Sequence, residues 1–282
     1  MMRIIITGAD GQLGLELQHA LKNQTIIPFA WPTFDLLKPD AEEQIFAATP
    51  DVIIHTAAYT NVDKAEQEPD IAMAVNADGT ERVARAADKV GARLIYISTD
   101  YVFDGTKDRP YEERDSTNPL GAYGRSKLEG ELRALACCAN TLVVRTAWLY
   151  SAHGANFVKT IMRLAREQRE LRVVNDQHGC PTYAGDLAHA LTRIVNLPIK
   201  GIAHAAGSGH CTWHELASAI VSFMGVPVEV LPISTQDARR PAPRPAYGVL
   251  GNRILAEAGI ALPLWKDSLA RFMLETRPHV SA

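Results

Sequence analysis

The chain has few cysteines, no long apolar run and no large excess of either charge, and each absence excludes some classes of function. Four of its 282 residues are cysteine, and their positions, 137, 138, 180 and 211, match no zinc-ligand spacing, so no metal is expected. No stretch approaches the roughly 20 apolar residues that span a bilayer, and the apolar run at 4–6 is too short for a signal peptide. The formal net charge is −3, which favours neither nucleic acid nor an anionic membrane as a partner. We therefore expect a cytoplasmic globular protein.

The first half of the chain alternates short apolar runs with amphipathic stretches. Such alternation predicts an α/β fold with a doubly wound parallel sheet of the Rossmann type. The runs are rich in Ile, Val and Leu, as in strands covered on both faces. The predicted strands are 3–7, 25–30, 52–55, 93–98 and 141–146, and the predicted helices are 12–22, 41–48, 71–90 and 123–136.

Past residue 150 the pattern becomes less regular, and a Pro- and Arg-rich stretch, 239–245, predicts an extended loop. We expect residues 1–150 to form a dinucleotide-binding domain. Residues 151–282 are expected to form mainly a smaller substrate-binding α/β lobe, with some segments returning to the sheet. Helices are predicted at 156–169, 184–196, 212–224 and 266–275, and strands at 171–175, 202–205 and 228–232.

Three glycines follow the first predicted strand in the order G-x-x-G-x-x-G. Gly8 permits a tight turn, Gly11 lets the backbone approach a ligand, and Gly14 lets the following helix lie close to the strand. A strand, a glycine turn and a helix in succession present backbone N–H groups to a pyrophosphate. The segment therefore predicts a dinucleotide site, although glycines at such a turn are also found for structural reasons alone.

A second group of residues points to carbonyl reduction. Tyr123 and Lys127 are four residues apart, so a helix places both on one face. An ammonium group nearby lowers the pKa of a phenol, which then acts as a general acid toward a carbonyl oxygen. Thr99 ends the fourth predicted strand, where its hydroxyl is able to hold the same oxygen. Each feature alone is common, but all three in this order are not.

Together with the glycine turn, longer strings resemble a known family. They are STDYVFDG (98–105), DVIIHTAAYT (51–60), VDKAE (62–66), RTAWLY (145–150) and NDQHGCPT (175–182). With Y-x-x-x-K, the chain resembles the extended short-chain dehydrogenases/reductases, and among them the dTDP-4-dehydrorhamnose reductases. The resemblance covers most of the chain.

The resemblance implies reduction of the C4 ketone of dTDP-4-dehydro-L-rhamnose to dTDP-L-rhamnose by NADPH or NADH. It assigns Tyr123 as the proton donor, Lys127 as its activator and a ligand of the nicotinamide ribose, and Thr99 as the residue that orients the ketone. Further matching positions are the sugar pocket residues Asp100, Tyr101 and Trp148, the pyrophosphate contacts Gly11, Gln12 and Leu13, the adenine neighbours Asp35 and Leu36, and the inner-ribose neighbours Ala58, Tyr59 and Thr60.

Two positions separate this chain from relatives. Related dehydratases carry T-D-E where this chain has Tyr101 as the third residue, so the second carboxylate needed for elimination is missing. After the second strand, residues 29–32 read FAWP, with neither a carboxylate to repel a 2′-phosphate nor an arginine to attract one. NADPH and NADH therefore both remain open, with a lean to NADPH.

Three arginines, Arg239, Arg240 and Arg244, follow in the Pro-rich stretch. Guanidinium groups pair well with phosphate, and Arg244 is the expected contact of the substrate diphosphate, unless the stretch is simply a solvated basic loop. Some family members hold magnesium at a dimer interface through glutamates, but those glutamates are not mapped onto this chain, so no metal is assigned. A homodimer is one assembly that the resemblance allows.

Two alternative functions remain open at this stage. The chain also resembles the β subunit of methionine adenosyltransferase, which binds a dinucleotide without catalysis, and a reductase for another nucleotide 4-ketosugar would have the same motifs.

Overall fold

The computed structural model describes residues 1–276. Its centre is a six-stranded parallel sheet with the strand order β10-β5-β4-β3-β1-β2. The fold class expected from the sequence is confirmed. The strands of this sheet are β1 (Arg3–Thr7), β2 (Thr25–Phe29), β3 (Val52–His55), β4 (Arg93–Thr99), β5 (Thr141–Thr146) and β10 (Gly201–His204).

Helices cover both faces of this sheet. The α-helices of the described residues, including those of the second half, are α1 (Gln12–Ala20), α2 (Ala41–Ala48), α3 (Val62–Ala65), α4 (Pro69–Met73), α5 (Gly79–Val90), α6 (Ala122–Cys137), α7 (Phe157–Glu167), α8 (Ala184–Ile194), α9 (Trp213–Met224), α10 (Thr235–Ala238), α11 (Arg253–Glu257) and α12 (Trp265–Glu275). Side chains alternate across a strand, so Ile4 and Ile6 pack toward α1 and α8, while Ile5 packs toward α2 and α5.

The order of the strands creates the cleft in which the site lies. The chain passes from β1 to β2 on one side and then crosses to β3 on the other side of β1. Ligands of doubly wound sheets bind at such a switch point, beyond the carboxyl ends of the strands. The turn after β1 and the segment after β3 meet there.

The second half contributes a further core. Leu171, Ile161, Ile220 and Phe272 belong to a cluster formed by β7, α7, α9 and α12. The remaining strands pair in twos, β7 (Glu170–Val174) with β12 (Glu229–Ile233), β8 (His178–Gly179) with β11 (Cys211–Thr212), and β6 (Leu149–Tyr150) with β9 (Thr182–Tyr183). Strand β10 lies beside β5 in the central sheet.

One predicted helix is divided in the structure. The sequence predicted a single helix over 71–90, whereas the structure has α4, then a π-helical segment, Ala74–Asp78, then α5. In the π segment, Asn76 Oδ1 accepts from the backbone N–H of Tyr59, and Asn76 Nδ2 donates to the carbonyl oxygen of Tyr59 and to Ser126 Oγ. A π-bulge of this kind often lies at a functional site. No helix within residues 1–276 has both the length and the apolar character needed to cross a bilayer.

Candidate active site

The turn between β1 and α1 is built for close backbone contact. Gly8 has a φ of +65°, and a Cβ on Gly14 would lie 2.3 Å from the carbonyl oxygen of Gly8. A Cβ on Gly11 would approach that same oxygen at 3.1 Å and no other atom closely. No side chain caps the first turn of α1, so its N–H groups stay available to an anion. This arrangement fits a dinucleotide pyrophosphate.

A cavity of about 1480 Å³ opens from this turn along the carboxyl edge of the sheet. It exceeds the usual volume of small-molecule sites, about 300–1,000 Å³, and has room for two ligands. Gly14 lies behind it in α1. The other residues expected from the sequence line it together: Gly8, Gly11, Gln12, Leu13, Asp35, Leu36, Ala58, Tyr59, Thr60, Thr99, Asp100, Tyr101, Tyr123, Lys127, Trp148 and Arg244.

Lys127 is a cation held deep in the cleft. Its side chain is buried, its Nζ donates to the carbonyl oxygen of Ile97 at 2.7 Å, and it lies 4.1 Å from the centre of the Tyr96 ring. Burial lowers the pKa of Lys127 to about 7, while the carboxylate of Glu131 acts in the opposite direction. Lys127 can therefore gain or lose its proton near neutrality.

Tyr123 lies one helical turn before Lys127 on α6 and contacts Tyr101 edge to face, with ring centres 5.5 Å apart. Burial raises the pKa of Tyr123 to about 12; a hydrogen bond with Thr99 lowers it, and Asp100 raises it. The expectation that Lys127 would give a lowered phenol pKa is wrong for this structure, because desolvation outweighs every other contribution. The phenol is protonated and able to donate.

The start of α6 is fixed by residues that the sequence analysis did not assign. Glu66 Oε1 accepts a hydrogen bond of 2.6 Å from the backbone N–H of Ala122. Asn76 donates to Ser126 Oγ at 2.9 Å, and Ser126 Oγ donates to the carbonyl oxygen of Tyr123 at 2.9 Å. Glu66 lies within the VDKAE string, so a sequence motif pointed to this residue, whereas no motif pointed to Asn76.

A buried ion pair joins Glu131, one turn after Lys127 on α6, to Arg145 on β5. Arg145 Nη2 is 2.6 Å from Glu131 Oε2, and both side chains are almost fully enclosed. Ser98 Oγ donates to the other oxygen of Glu131 at 2.5 Å. The pair joins β4, β5 and α6 just below the catalytic edge, and an arginine within the apolar strand β5 was its one sequence signal.

Two tryptophans form part of the cavity wall. The rings of Trp148 and Trp213 stack at 3.4 Å with an interplanar angle of 6°. Trp148 was expected here; Trp213, at the start of α9, was not, since no motif links it to Trp148. Trp148 has a φ of +47°, and its ring packs where any Cβ on Gly179 would fall.

Arg244 lines the cavity but is already paired. Its Nη2 lies 3.0 Å from Asp63 Oδ1, and its Nη1 donates to the carbonyl oxygen of Ala242. Arg240, which is more exposed, lies 3.9 Å from the other oxygen of Asp63. Arg239, Arg240 and Arg244 of the Pro-rich loop all line the cavity, and the last two lie around the Asp63 carboxylate.

The residues expected to border the adenosine differ in burial and in their hydrogen-bond partners. Leu36 is nearly buried and packs in the core beside α5, so only its edge reaches the cavity. Asp35 Oδ1 accepts from the backbone N–H of Leu37. In the segment after β3, the Tyr59 phenol donates to Glu68 and its backbone is held by Asn76.

Comparison with known proteins identifies the family of the chain. Residues 2–277 match the family model described as the RmlD substrate binding domain. The chain is 42% identical to dTDP-4-dehydrorhamnose reductase of Sinorhizobium fredii, with 96% of this chain and 97% of that protein covered. It is 38% identical to the spore coat polysaccharide biosynthesis protein SpsK of Bacillus subtilis, with 98% of each covered.

Among solved structures, the chain is similar to dTDP-4-dehydrorhamnose reductase from Bacillus anthracis in complex with NADP. The TM-score is 0.95 at 41% identity, and the alignment covers 98% of this chain and 99% of that one. The chain therefore belongs to the dTDP-4-dehydrorhamnose reductase family, and its match to the RmlD substrate binding domain covers residues 2–277.

Proposed function

We propose that this protein reduces the C4 ketone of dTDP-4-dehydro-L-rhamnose and so forms dTDP-L-rhamnose, with NADPH or NADH as the reductant. One observation carries the proposal: Thr99, Tyr123 and Lys127 line one cavity that starts at the glycine turn of β1 and α1. The family relatives, one of them solved with NADP, support the same reaction.

A bound reduced nicotinamide supplies the hydride that reaches C4. The phenol of Tyr123 gives its proton to the ketone oxygen, which becomes the new hydroxyl. Thr99 donates to the same oxygen and holds it beside the phenol. Lys127, near Ile97 and Tyr96, provides a positive charge that stabilises the phenolate left by proton transfer. Groups fixed in advance stabilise such charge without having to reorganise.

For the dinucleotide we assign the sequence-predicted residues. The turn residues Gly11, Gln12 and Leu13 would contact the pyrophosphate, while Gly8 permits the turn and Gly14 lets α1 lie close to β1. Lys127 with Tyr123 would hold the nicotinamide ribose. The adenosine side would be bordered by Asp35, Leu36, Ala58, Tyr59 and Thr60.

For the sugar nucleotide we assign Asp100, Tyr101 and Trp148 to the sugar pocket and Arg244 to the diphosphate. The pairing of Arg244 with Asp63 means that the diphosphate would share this arginine with a carboxylate. Tyr101 carries a phenol where an eliminating enzyme needs a second carboxylate, which supports reduction over dehydration.

Two further expectations stay predictions. They are a cytoplasmic location for the protein and assembly as a homodimer.

The test is an absorbance assay at the nicotinamide band. We expect NADPH oxidation when dTDP-4-dehydro-L-rhamnose, generated in situ, is added to the protein, and the same assay with NADH ranks the two cofactors. The UDP form of the sugar reports the base preference. Binding of cofactor without oxidation by any of these sugars would contradict the proposal and would favour a non-catalytic role like that of the methionine adenosyltransferase β subunit.

A further inference from the structure

Asp100 lies beside Thr99 as an enclosed carboxyl group. Its side chain is 2% exposed, and its Oδ1 is 3.1 Å from Thr99 Oγ1. Its Oδ2 is buried without a hydrogen-bond partner and faces Gly248, where a Cβ would lie 2.6 Å away. A buried carboxylate with a bare oxygen is costly, so such a site favours the neutral acid.

The hydroxyl of Thr99 has one proton to donate and two lone pairs that accept. The backbone N–H of Tyr101 donates to one lone pair at 3.2 Å. The second lone pair and the proton are left for Asp100, for the Tyr123 phenol, which also hydrogen-bonds Thr99, and for whatever occupies the cleft. An ionised Asp100 can only accept, so it would take the Thr99 proton. A protonated Asp100 donates to Thr99 instead and leaves the Thr99 proton free for the cleft.

We propose that Asp100 is a positioning residue that donates a proton to Thr99 in a hydrogen bond and thereby turns the Thr99 hydroxyl toward the oxygen being reduced. This inference rests on the proposed ketone reduction. Loss of the Asp100 proton reverses the hydrogen bond, so Thr99 no longer donates to the ketone oxygen and the negative charge also opposes charge formation on Tyr123. Asp100 thus makes the hydrogen-bond direction at Thr99 depend on pH.

Burial raises the pKa of Asp100 to about 7, against the lowering effects of Thr99 and of its own backbone. This places the reversal within the physiological range. This role comes in addition to the sugar contact proposed for Asp100, which also lines the cavity.

Other titratable groups surround Asp100. Tyr101 and Tyr123 lie beside it, and Cys180 faces it from beyond β8; burial raises the pKa of all three, so they stay neutral near pH 7. The Arg244 guanidinium acts to lower the pKa of Tyr101, against the larger effect of burial. Behind Gly248, His178 and Tyr247 have ring centres 6.0 Å apart. Lys127 titrates in the same range as Asp100.

A first experiment observes the proton itself and does not depend on turnover. Infrared difference spectra of the protein with NADP, recorded from pH 5 to pH 9, should show the C=O stretch of a protonated carboxyl that disappears with a midpoint near pH 7. The band should be missing in Asp100→Asn, or in the smaller Asp100→Ser if the first variant does not fold. Absence of an Asp100 band at pH 5 overturns the proposal.

A second experiment measures kcat of Asp100→Asn relative to the unaltered protein across the same pH range. Lys127 is present in both proteins, so its titration cancels in the ratio. The ratio should rise about tenfold from pH 6 to pH 9, the effect of one hydrogen bond to a developing charge. Asp108→Asn, which removes an exposed carboxylate from the following loop, should give a flat ratio. A flat ratio for Asp100→Asn overturns the proposal.

The two experiments separate failure of this inference from failure of the proposed function. If the keto-sugar is not reduced at all, the reaction assigned to the site is wrong, and the infrared titration still decides the protonation of Asp100. If the sugar is reduced and the ratio stays flat, the reaction stands and the role of Asp100 does not.

Discussion

At the residue scale, the phenol of Tyr123 and the ammonium of Lys127 differ in how far burial has shifted their pKa values. Tyr123 remains a proton donor at neutral pH, whereas Lys127 is close to losing its charge. Proton donation is therefore assigned to Tyr123, and charge stabilisation depends on the protonated fraction of Lys127.

Tyr123→Phe should lower kcat by two orders of magnitude or more, the usual contribution of general acid catalysis. The ring and its packing against Tyr101 remain, so NADPH should still bind. Steady-state rates and a fluorescence titration of NADPH check both parts. Turnover that is unchanged in the variant would remove Tyr123 from the mechanism.

Lys127→Met should weaken turnover and cofactor binding together and should also stabilise the fold. The folded pKa of Lys127 lies below the unfolded value, so holding the charge costs stability at pH 7 and below, and this cost is relieved as pH rises toward 10. Denaturant unfolding at pH 6 and pH 10 should show the gain of the variant shrinking at the higher pH. Lys200→Met, at an exposed site, is the matched control, and an equal effect of both variants would contradict the account.

Sequence reasoning assigned residues best where a motif reported directly on chemistry. Thr99, Tyr123 and Lys127 do line one cavity, as the motifs indicated. Trp213 and Asn76 could not be found, because their partners, Trp148 and Tyr59, are distant in sequence and meet only in the folded chain. The direction of the Tyr123 pKa shift was predicted wrongly, since a four-residue spacing does not show how deeply a phenol is buried.

At the element scale, Gly11 and Gly14 have different roles in the turn between β1 and α1. Gly14→Ala places a methyl group against the Gly8 carbonyl and should destabilise the fold by about 1–3 kcal/mol, as overpacking does. Gly11→Ala meets that oxygen at 3.1 Å only and has an ordinary φ of −77°, so it should leave stability within about 1 kcal/mol.

The same pair of variants should differ in ligand binding. Gly11→Ala is expected to raise the Kd for NADPH by about tenfold or more, because the added methyl group points at the ligand side of the turn. Denaturation and NADPH titration of both variants give the comparison. A Gly11→Ala variant that binds NADPH normally would show that no ligand approaches this turn.

The elements of the first half were predictable because burial on both faces leaves a clear apolar signature. Strands β1 and β3 occupy the predicted residues, and β2 and β4 differ by one residue at their ends. The π segment was not predictable, since it depends on bonds that Asn76 makes to Tyr59 and Ser126.

At the scale of the whole molecule, two histidines are buried within or beside the central sheet in neutral form. His55 lies between the hydroxyls of Thr7 and Thr80, and His204 lies beside the carbonyl oxygen of Gly251. Burial lowers the pKa of each to about 3. The unfolded chain binds protons that these rings do not, so stability is lost as pH falls from about 6.5 toward 3.

His55→Gln should therefore flatten the acid side of the stability profile. Between pH 6.5 and pH 4.5 the free energy of unfolding of the unaltered protein should fall by about 1.4 kcal/mol per pH unit more than that of the variant. Denaturant titrations at several pH values measure the slope, whatever stability the variant has at pH 7. His189→Gln, at an exposed position, should keep the original slope. Identical slopes in all three proteins would refute this reading of His55.

The overall topology followed from regular alternation, whereas the arrangement of the second half did not. The short pairs β6–β9 and β8–β11 have two residues per strand and leave no periodic signal. The return of residues 201–204 to the sheet was expected only in general terms, and a contact between Arg244 and Asp63, 181 positions apart, was not foreseen.

The most direct test of the account follows one atom. A single turnover with NADPH deuterated at the transferable position of C4 of the nicotinamide, followed by mass spectrometry of the sugar nucleotide, reports hydride transfer. The unaltered protein should place one deuterium at C4 of dTDP-L-rhamnose. With Tyr123→Phe, the labelled product should form at a rate at least a hundredfold lower. A sugar that forms without label, or that forms equally fast without the phenol, would contradict the account.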